Sequence, residues 1–210
     1  DPTIYHESFK ALTDVIVHDI FSPPVASRIY TYASVAGYEA ARWQDASMPS
    51  FSSSIKHFPP MTVPDTSLEY SYEMASTLAM LRVGKALIFS EDSITRQIQK
   101  AEAFYKKTGM PDDVYSRSAI LADSVAAHVL RWSSKDNYKQ SRSFPKYSLQ
   151  NDASTWKPTP PGYMDGVEPS WNKIRTVMMD SASQFMPARP TKYDVSKGSQ
   201  YYNETMEVYN

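Results

Sequence analysis

Apolar positions recur at helical spacing over most of the first 134 residues. Phe9, Leu12, Ile16 and Ile20 form one stripe and predict an amphipathic helix over residues 3–20, ending at Phe21. Ser22 followed by Pro23 and Pro24 reads as an N-cap with proline in the first helical turn, starting a second helix that runs to about Gln44. Small residues Ala26, Ala33, Ala36, Gly37, Ala40 and Ala41 alternate there with Ile29, Tyr30, Tyr32 and Tyr38, the composition of a helix approached closely by a neighbour. Gly37 costs about 1 kcal/mol against alanine, so a close contact is expected at that position. From Ser47 to Asp65 the periodicity lapses into serines, His57 and four prolines, predicting a long surface loop that could pass over a site. Thr66-Ser-Leu-Glu69 fits a capping box and predicts a helix to about Ser90, with Tyr70, Met74, Leu78, Leu81 and Leu87 as its core stripe.

The next boundaries are marked on both sides. Ser90, Glu91 and Asp92 supply a cap and favourable first-turn charge, while Lys106, Lys107 and Gly109 supply a matching stop. Pro111-Asp-Asp113 restarts a helix to about Ser134, with Ile120, Leu121, Val125, His128 and Val129 inward. Residues 135–166 are polar, aromatic and proline-rich. Prolines 158, 160 and 161 deny this strap both helix and central strand, so Trp156, Tyr163 and Trp171 are expected to be held by packing. A further helix is predicted over Trp171 to Ser183, and a last one from about Ser196, still running at Asn210. The fold class is therefore all-α, a helical bundle with long irregular proline-rich connections, in a single domain over residues 1–210.

Composition narrows the function classes more than it selects one. With 210 residues and 41% apolar content the chain can bury one sizeable core. Its 22 lysines and arginines against 23 acids leave a net charge of -1, so no general attraction to nucleic acid or anionic lipid follows. The arginines at 131, 142, 175 and 189 are scattered among acids, and nucleic-acid binding is not expected. Having no cysteine, the chain has no disulfide, thiolate metal site or cysteine nucleophile. The apolar run from Thr77 to Phe89 contains Arg82 and Lys85 and falls short of the roughly 20 residues a membrane span needs. A start at Asp1 without methionine or signal peptide is read as a mature or trimmed protein.

Candidate catalytic groups are sparse. The histidines are at 6, 18, 57 and 128, and none is spaced for a helical zinc motif. His18 is read as complementing the end of the first helix, and His128 as a satisfied core residue. Asp112 and Asp113 read as first-turn charges. No glycine-rich phosphate loop and no nucleophile elbow is present. From the residues alone, catalytic, cofactor-binding and metal-site residues are all none.

Two tracts nevertheless carry a family likeness. They are Leu12-Thr-Asp-Val-Ile-Val-His-Asp-Ile-Phe-Ser-Pro-Pro-Val-Ala-Ser-Arg-Ile-Tyr30 with its sequel to Glu39, and Trp156-Lys-Pro-Thr-Pro-Pro-Gly-Tyr163 through Glu168-Pro-Ser-Trp171 to Phe185. In order and spacing they resemble the bacterial branch of the vanadium-dependent haloperoxidases, within the type 2 phosphatidic acid phosphatase superfamily. The resemblance implies an all-helical protein that binds vanadate or phosphate through arginines, a lysine and histidines, and either oxidises halide with peroxide or acts as a phosphatase. The family's signature elements are a lysine six residues ahead of an Arg-Pro pair, a Pro-Ser-Gly-His element, and Ser-Arg with a histidine six positions after the arginine. Here Arg189-Pro190 has Ala182 at the lysine position, Pro-Ser-Gly-His does not occur, and Ser27-Arg28, Ser116-Arg117 and Ser141-Arg142 lead to Ser34, Asp123 and Ser148.

The resemblance thus implies an N-terminal, non-catalytic half whose partner is a missing C-terminal catalytic half, in a periplasmic or otherwise exported protein. Such a half could supply walls, an access channel and a homodimer surface, and is expected to be inactive alone. The alternative is a helical ligand- or partner-binding protein without catalytic activity, using the 47–65 loop and the tyrosine-rich strap. A third reading keeps the scaffold in a paralogue that lost its site. Sequence beyond Asn210 separates these: the enzyme reading expects the three elements there, the binding reading an end near Asn210.

Overall fold

One helix, α3, spans Tyr72–Ala86 and is surrounded on every side, because nearly all of its residues from Met74 to Gly84 are apolar or small. The computed structural model describes residues 2–210. It contains α1 (Thr3–His18), α2 (Pro23–Ala41), α3, α4 (Glu91–Lys106), α5 (Asp112–Ser133), α6 (Tyr138–Ser141) and α7 (Gln200–Tyr209), with no strand among the described residues. Helices α1, α2, α4 and α5 all pack on α3. Met74, Leu78, Met80, Leu81 and Val83 are fully buried, each worth about 1.5–3 kcal/mol on burial. The expected single stripe on this helix is therefore a complete core helix. Its polar side chains are satisfied locally, Ser76 Oγ donating to the Gly37 carbonyl at 2.8 Å and Thr77 Oγ1 lying 3.0 Å from the Tyr105 hydroxyl.

The close approach expected at Gly37 is present. A Cβ there would sit 2.5 Å from the Tyr5 hydroxyl and 3.5 Å from the Met80 Cβ, so α1 and α3 both crowd this face of α2. The start of α3 is five residues later than the capping box predicts. Ser71 is the N-cap, its Oγ accepting from the Met74 amide at 3.3 Å, while Thr66 to Glu69 remain in the loop. The limits of α4 and α5 match the predicted ones closely, and Gly109 takes the left-handed conformation expected of a stop residue.

The turn from α1 to α2 departs from expectation. The helix stops at His18, where the Phe21 amide donates to the Ile16 carbonyl at 3.2 Å and the Ile20 amide to Val17 at 3.1 Å, a Schellman closure. Ile20 sits in its left-handed position with φ 55° and is 88% exposed, not part of the core stripe. Asp19 beside it fixes the start of α4: its carboxylate accepts from the Phe89 and Ser90 amides at 2.9 and 3.0 Å and from the Ser90 hydroxyl. Ser90 is thus the residue before α4 as expected, but its hydroxyl serves Asp19 instead of capping the helix.

Beyond α5 the chain is irregular. Trp171–Lys173 is a single 3₁₀ turn, not the predicted helix to Ser183, because Ile174 turns extended and the Arg175 amide is taken by the Asp136 carbonyl at 2.9 Å. Trp171 packs against Tyr138 and the core edge, but Trp156 and Tyr163 are 50% and 62% exposed and Trp156 lies edge-on to Tyr147 away from the core, against the expectation that all three are packed. Ile120 is likewise exposed, on the outer face of α5. Helix α7 begins at Gln200 behind a Ser199 cap. Among the described residues no helix is long and apolar enough to cross a membrane.

Two tests follow from the α1–α2 turn. A β-branched residue at positive φ costs on the order of 1–2 kcal/mol, so Ile20→Gly is expected to raise the urea midpoint, with a gain of about 1 kcal/mol. Burial pushes the Asp19 carboxyl up, but the bonds from Ser90 and Phe89 and the nearby His18 outweigh it and hold the pKa below its ordinary value. A carboxylate whose pKa is lowered by folding stabilises above its unfolded pKa, near 4, and that contribution is lost as pH falls through the folded value. Asp19→Asn is therefore expected to be less stable at neutral pH and to show a shallower loss of stability below about pH 4. Parallel acid profiles in the two proteins would contradict this role.

Candidate functional site

The segment after α5 holds the most buried charge of the second half of the chain. Asp136 is 1% exposed. Its Oδ2 accepts from Arg28 Nε at 2.6 Å and from the Tyr32 hydroxyl at 2.8 Å, both on α2, and its Oδ1 accepts from the Tyr138 amide at 2.9 Å. Asn137, in a left-handed conformation, turns the chain into α6 and donates from Nδ2 to the Lys173 carbonyl at 3.0 Å. Arg175 donates to the Trp132 carbonyl and the Tyr32 hydroxyl, each at 3.1 Å, and stacks 4.5 Å over the Trp132 ring. Burial first, then the Asp136 charge, push the Tyr32 hydroxyl pKa well above its usual value, while Arg175 and Arg28 pull it back. Tyr32 therefore stays protonated and donates to Asp136 while accepting from Arg175.

The 47–65 loop is brought to the same place. Glu39, fully buried on α2, accepts from the Phe51 amide at 2.6 Å, from Ser50 Oγ at 3.0 Å and from Arg42 Nε at 2.7 Å, fixing the start of the loop. Further on, Phe58 is buried edge-on to Trp132 and His128, and His128 Nε2 lies 2.9 Å from the Pro59 carbonyl. Lys56 forms an ion pair with Asp180, bridging loop and strap. Between loop, α5 and strap lies a cavity of about 600 Å³, with His57, His128, Arg131, Lys135, Lys173 and Arg175 on its walls. A second cavity, of about 380 Å³, opens on the other side of Arg175 against Arg28, Tyr32 and Trp171.

No protein-family model and no curated protein matches the chain. Among solved structures, the crystal structure of a bacterial vanadium-dependent iodoperoxidase superposes with a TM-score of 0.93 at 39% sequence identity, covering 99% of this chain and 50% of that one. The chain has a vanadium haloperoxidase-like fold. It spans half the length of that relative, and an N-terminal half of a vanadium haloperoxidase fits this coverage.

In this haloperoxidase-like fold, the two sequence tracts that carry the resemblance meet in space. Arg28 and Tyr32, in and just beyond the first, share Asp136 with Arg175 of the second, and Glu168 of the second forms an ion pair with Arg142 close to Ser22. The histidines separate into two sets. His6 and His18 are exposed on α1, whereas His57 and His128 are 71 positions apart in sequence and share the larger cavity. His128 is satisfied as expected, by a carbonyl, but stands half-buried at the cavity wall, not in the core. Asp113 pairs with Arg117 at 2.8 Å in the first turn of α5, and this bond holds its carboxyl below the ordinary range. Arg131 and Arg175 reach the cavity, while Arg189 is exposed elsewhere.

Sequence reasoning missed Asp136, Lys135 and Lys173. An acid one position after a basic residue past a helix end looks like any solvated turn. The available signal was the αL-tolerant Asn137 directly after it, which marks a turn of defined geometry.

Removing one partner of a buried ion pair costs about 3–5 kcal/mol because the other charge stays uncompensated. Asp136→Ala is expected to lower stability by that order and to speed protease cleavage within residues 142–198, read by urea unfolding and timed limited proteolysis. An unchanged midpoint would remove Asp136 from its anchoring role.

Proposed function

We propose that this chain is the scaffold half of a vanadate- or phosphate-site enzyme of the haloperoxidase type, completed by a second, catalytic half. The observation that carries this is the 39% identity to a vanadium-dependent iodoperoxidase over essentially all of this chain but half of that one. On this reading the whole protein oxidises halide, iodide by analogy with that relative, with peroxide activated on bound vanadate. A hydrolytic variant would use the same kind of oxyanion site for phosphate esters.

The residues of this chain do not fit the family's vanadate-binding pattern. Arg189-Pro190 lacks its upstream lysine, having Ala182, and Arg189 is exposed. Arg28, Arg42 and Arg142 are each committed to a carboxylate, Asp136, Glu39 and Glu168. An oxyanion transition state needs several convergent donors already in place, and guanidiniums held by buried acids cannot be lent to it. What this half offers is rigid form: a bundle around α3 and a strap fixed to it at Asp136.

A covered surface is also in keeping with a second half. Met178, Phe185, Met186, Val195, Val208 and Tyr209 are each strongly exposed along the last 33 residues, apolar side chains that a second half would cover. The reading is tested by assaying the 210-residue chain with vanadate, peroxide and iodide, and separately with a phosphate monoester. No turnover is expected in either assay. Robust turnover by this chain alone would overturn the scaffold assignment.

A further inference from the structure

The larger cavity is charged in a way that the proposed scaffold role does not use. Arg131, Lys135, Lys173 and Arg175 line it, together with His57 and His128. The one acid among its lining residues, Asp136, has its carboxylate engaged by Arg28, Tyr32 and the Tyr138 amide. Among the described residues none of the four cations has a carboxylate within ion-pair distance, whereas Arg28, Arg42, Arg82, Arg117 and Arg142 all do. In a chain of net charge -1 this concentrates permanent positive charge in one concavity.

Two further observations point the same way. Arg175 is half-buried, and its Nε is a buried donor without an acceptor. The indole Nε1 of Trp132, a residue 2% exposed, is a second such donor in the same wall. N–H groups without an acceptor, and a half-buried guanidinium bonded only to neutral oxygens, favour a negative charge nearby. Solvent alone compensates them poorly in a recess. The volume, about 600 Å³, exceeds that of a bare tetrahedral oxyanion and lies within the usual range of small-molecule sites.

We propose that this cavity binds a small phosphate monoester, its oxyanion head held by Lys135, Lys173 and Arg131 with the Arg175 charge beside them, and its organic body lying against Pro59 and His57. Arginine and lysine together suit such a head, the guanidinium offering planar paired donors and the ammonium groups adaptable charge at the rim. The inference rests on this chain's own residues.

Calorimetric titration of the 210-residue chain at low ionic strength, with phenyl phosphate and with inorganic phosphate as probes, tests it. Saturable 1:1 binding is expected for both, tighter for phenyl phosphate and weakened by added salt. Lys135→Gln combined with Lys173→Gln removes two exposed charges without touching the Asp136 contacts, and is expected to weaken binding about tenfold or more. Lys107→Gln, the same charge change at the end of α4, is expected to leave it unchanged. Lack of saturation at millimolar probe, or a double variant that binds like the parent chain, would overturn the site. Equal affinity for the two probes would overturn the assignment of an organic body.

Discussion

A carboxylate taken out of water must be surrounded by donors, and Asp136 obtains them from every element around it. Its two oxygens are used by α2 through Arg28 and Tyr32 and by the first residue of α6, while its backbone carbonyl holds Arg175. Burial of the pair is stabilising only when the geometry is complete, because each partner alone would leave an isolated charge in a low-dielectric region. This all-or-none character makes the site a fastener. It sets where α5 ends, why Asn137 turns left-handed, and why the chain after Trp171 runs extended along the bundle instead of coiling into a helix.

The fastener works because the bundle presents a fixed frame. Helix α3 is enclosed by four others, and small residues on α2 let the helices approach until Gly37 meets the Tyr5 hydroxyl. Interiors packed this closely transmit position with little slack. Arg28 and Tyr32 are consequently held at one location on α2, and Glu39, about two to three turns further along, is held equally firmly to receive the 47–65 loop. Two buried acids on or against the same helix thus place the two irregular segments of the chain, and the cationic cavity is the space left between them. Its positive character is a by-product of the same arrangement: the acid at its floor is already fully engaged, so the surrounding cations have nothing to answer them.

Helix existence was legible in the pattern of apolar residues wherever local signals agreed. The charged start and glycine stop of α4, and the proline start of α5, put those boundaries within a residue or two of where they lie. The pattern failed where a local preference competed with a distant contact. Thr66 to Glu69 has the residue types of a capping box, but Ser71 is nearer the packed face of α3, with its amide bonded to Ser118 Oγ at 2.8 Å, and takes the cap. Ile20 continues the helical stripe by spacing, yet the Schellman closure demands a left-handed residue there and the turn to α2 overrides side-chain preference. Ile120 was counted inward by spacing and lies on the outer face, an error of one position in a 3.6-residue period. The family likeness was likewise present in two tracts of sequence, whereas the residues that join those tracts were not.

By itself the sequence determined the all-helical class, the order of the main helices, the irregularity of the 47–65 and proline-rich segments, and the resemblance to haloperoxidases. Each rests on information local in the chain: periodicity, caps, prolines and short ordered motifs. Only the tertiary structure decided that Trp171 begins a single turn, that Trp156 and Tyr163 lie exposed, and that Asp136, Arg28 and Arg175 form one cluster. It alone brought His57, His128, Arg131, Lys135, Lys173 and Arg175 around a common cavity. Those outcomes depend on contacts between residues from 39 to 143 positions apart, whose partners are set by how helices pack and not by any property that either residue carries in its own neighbourhood.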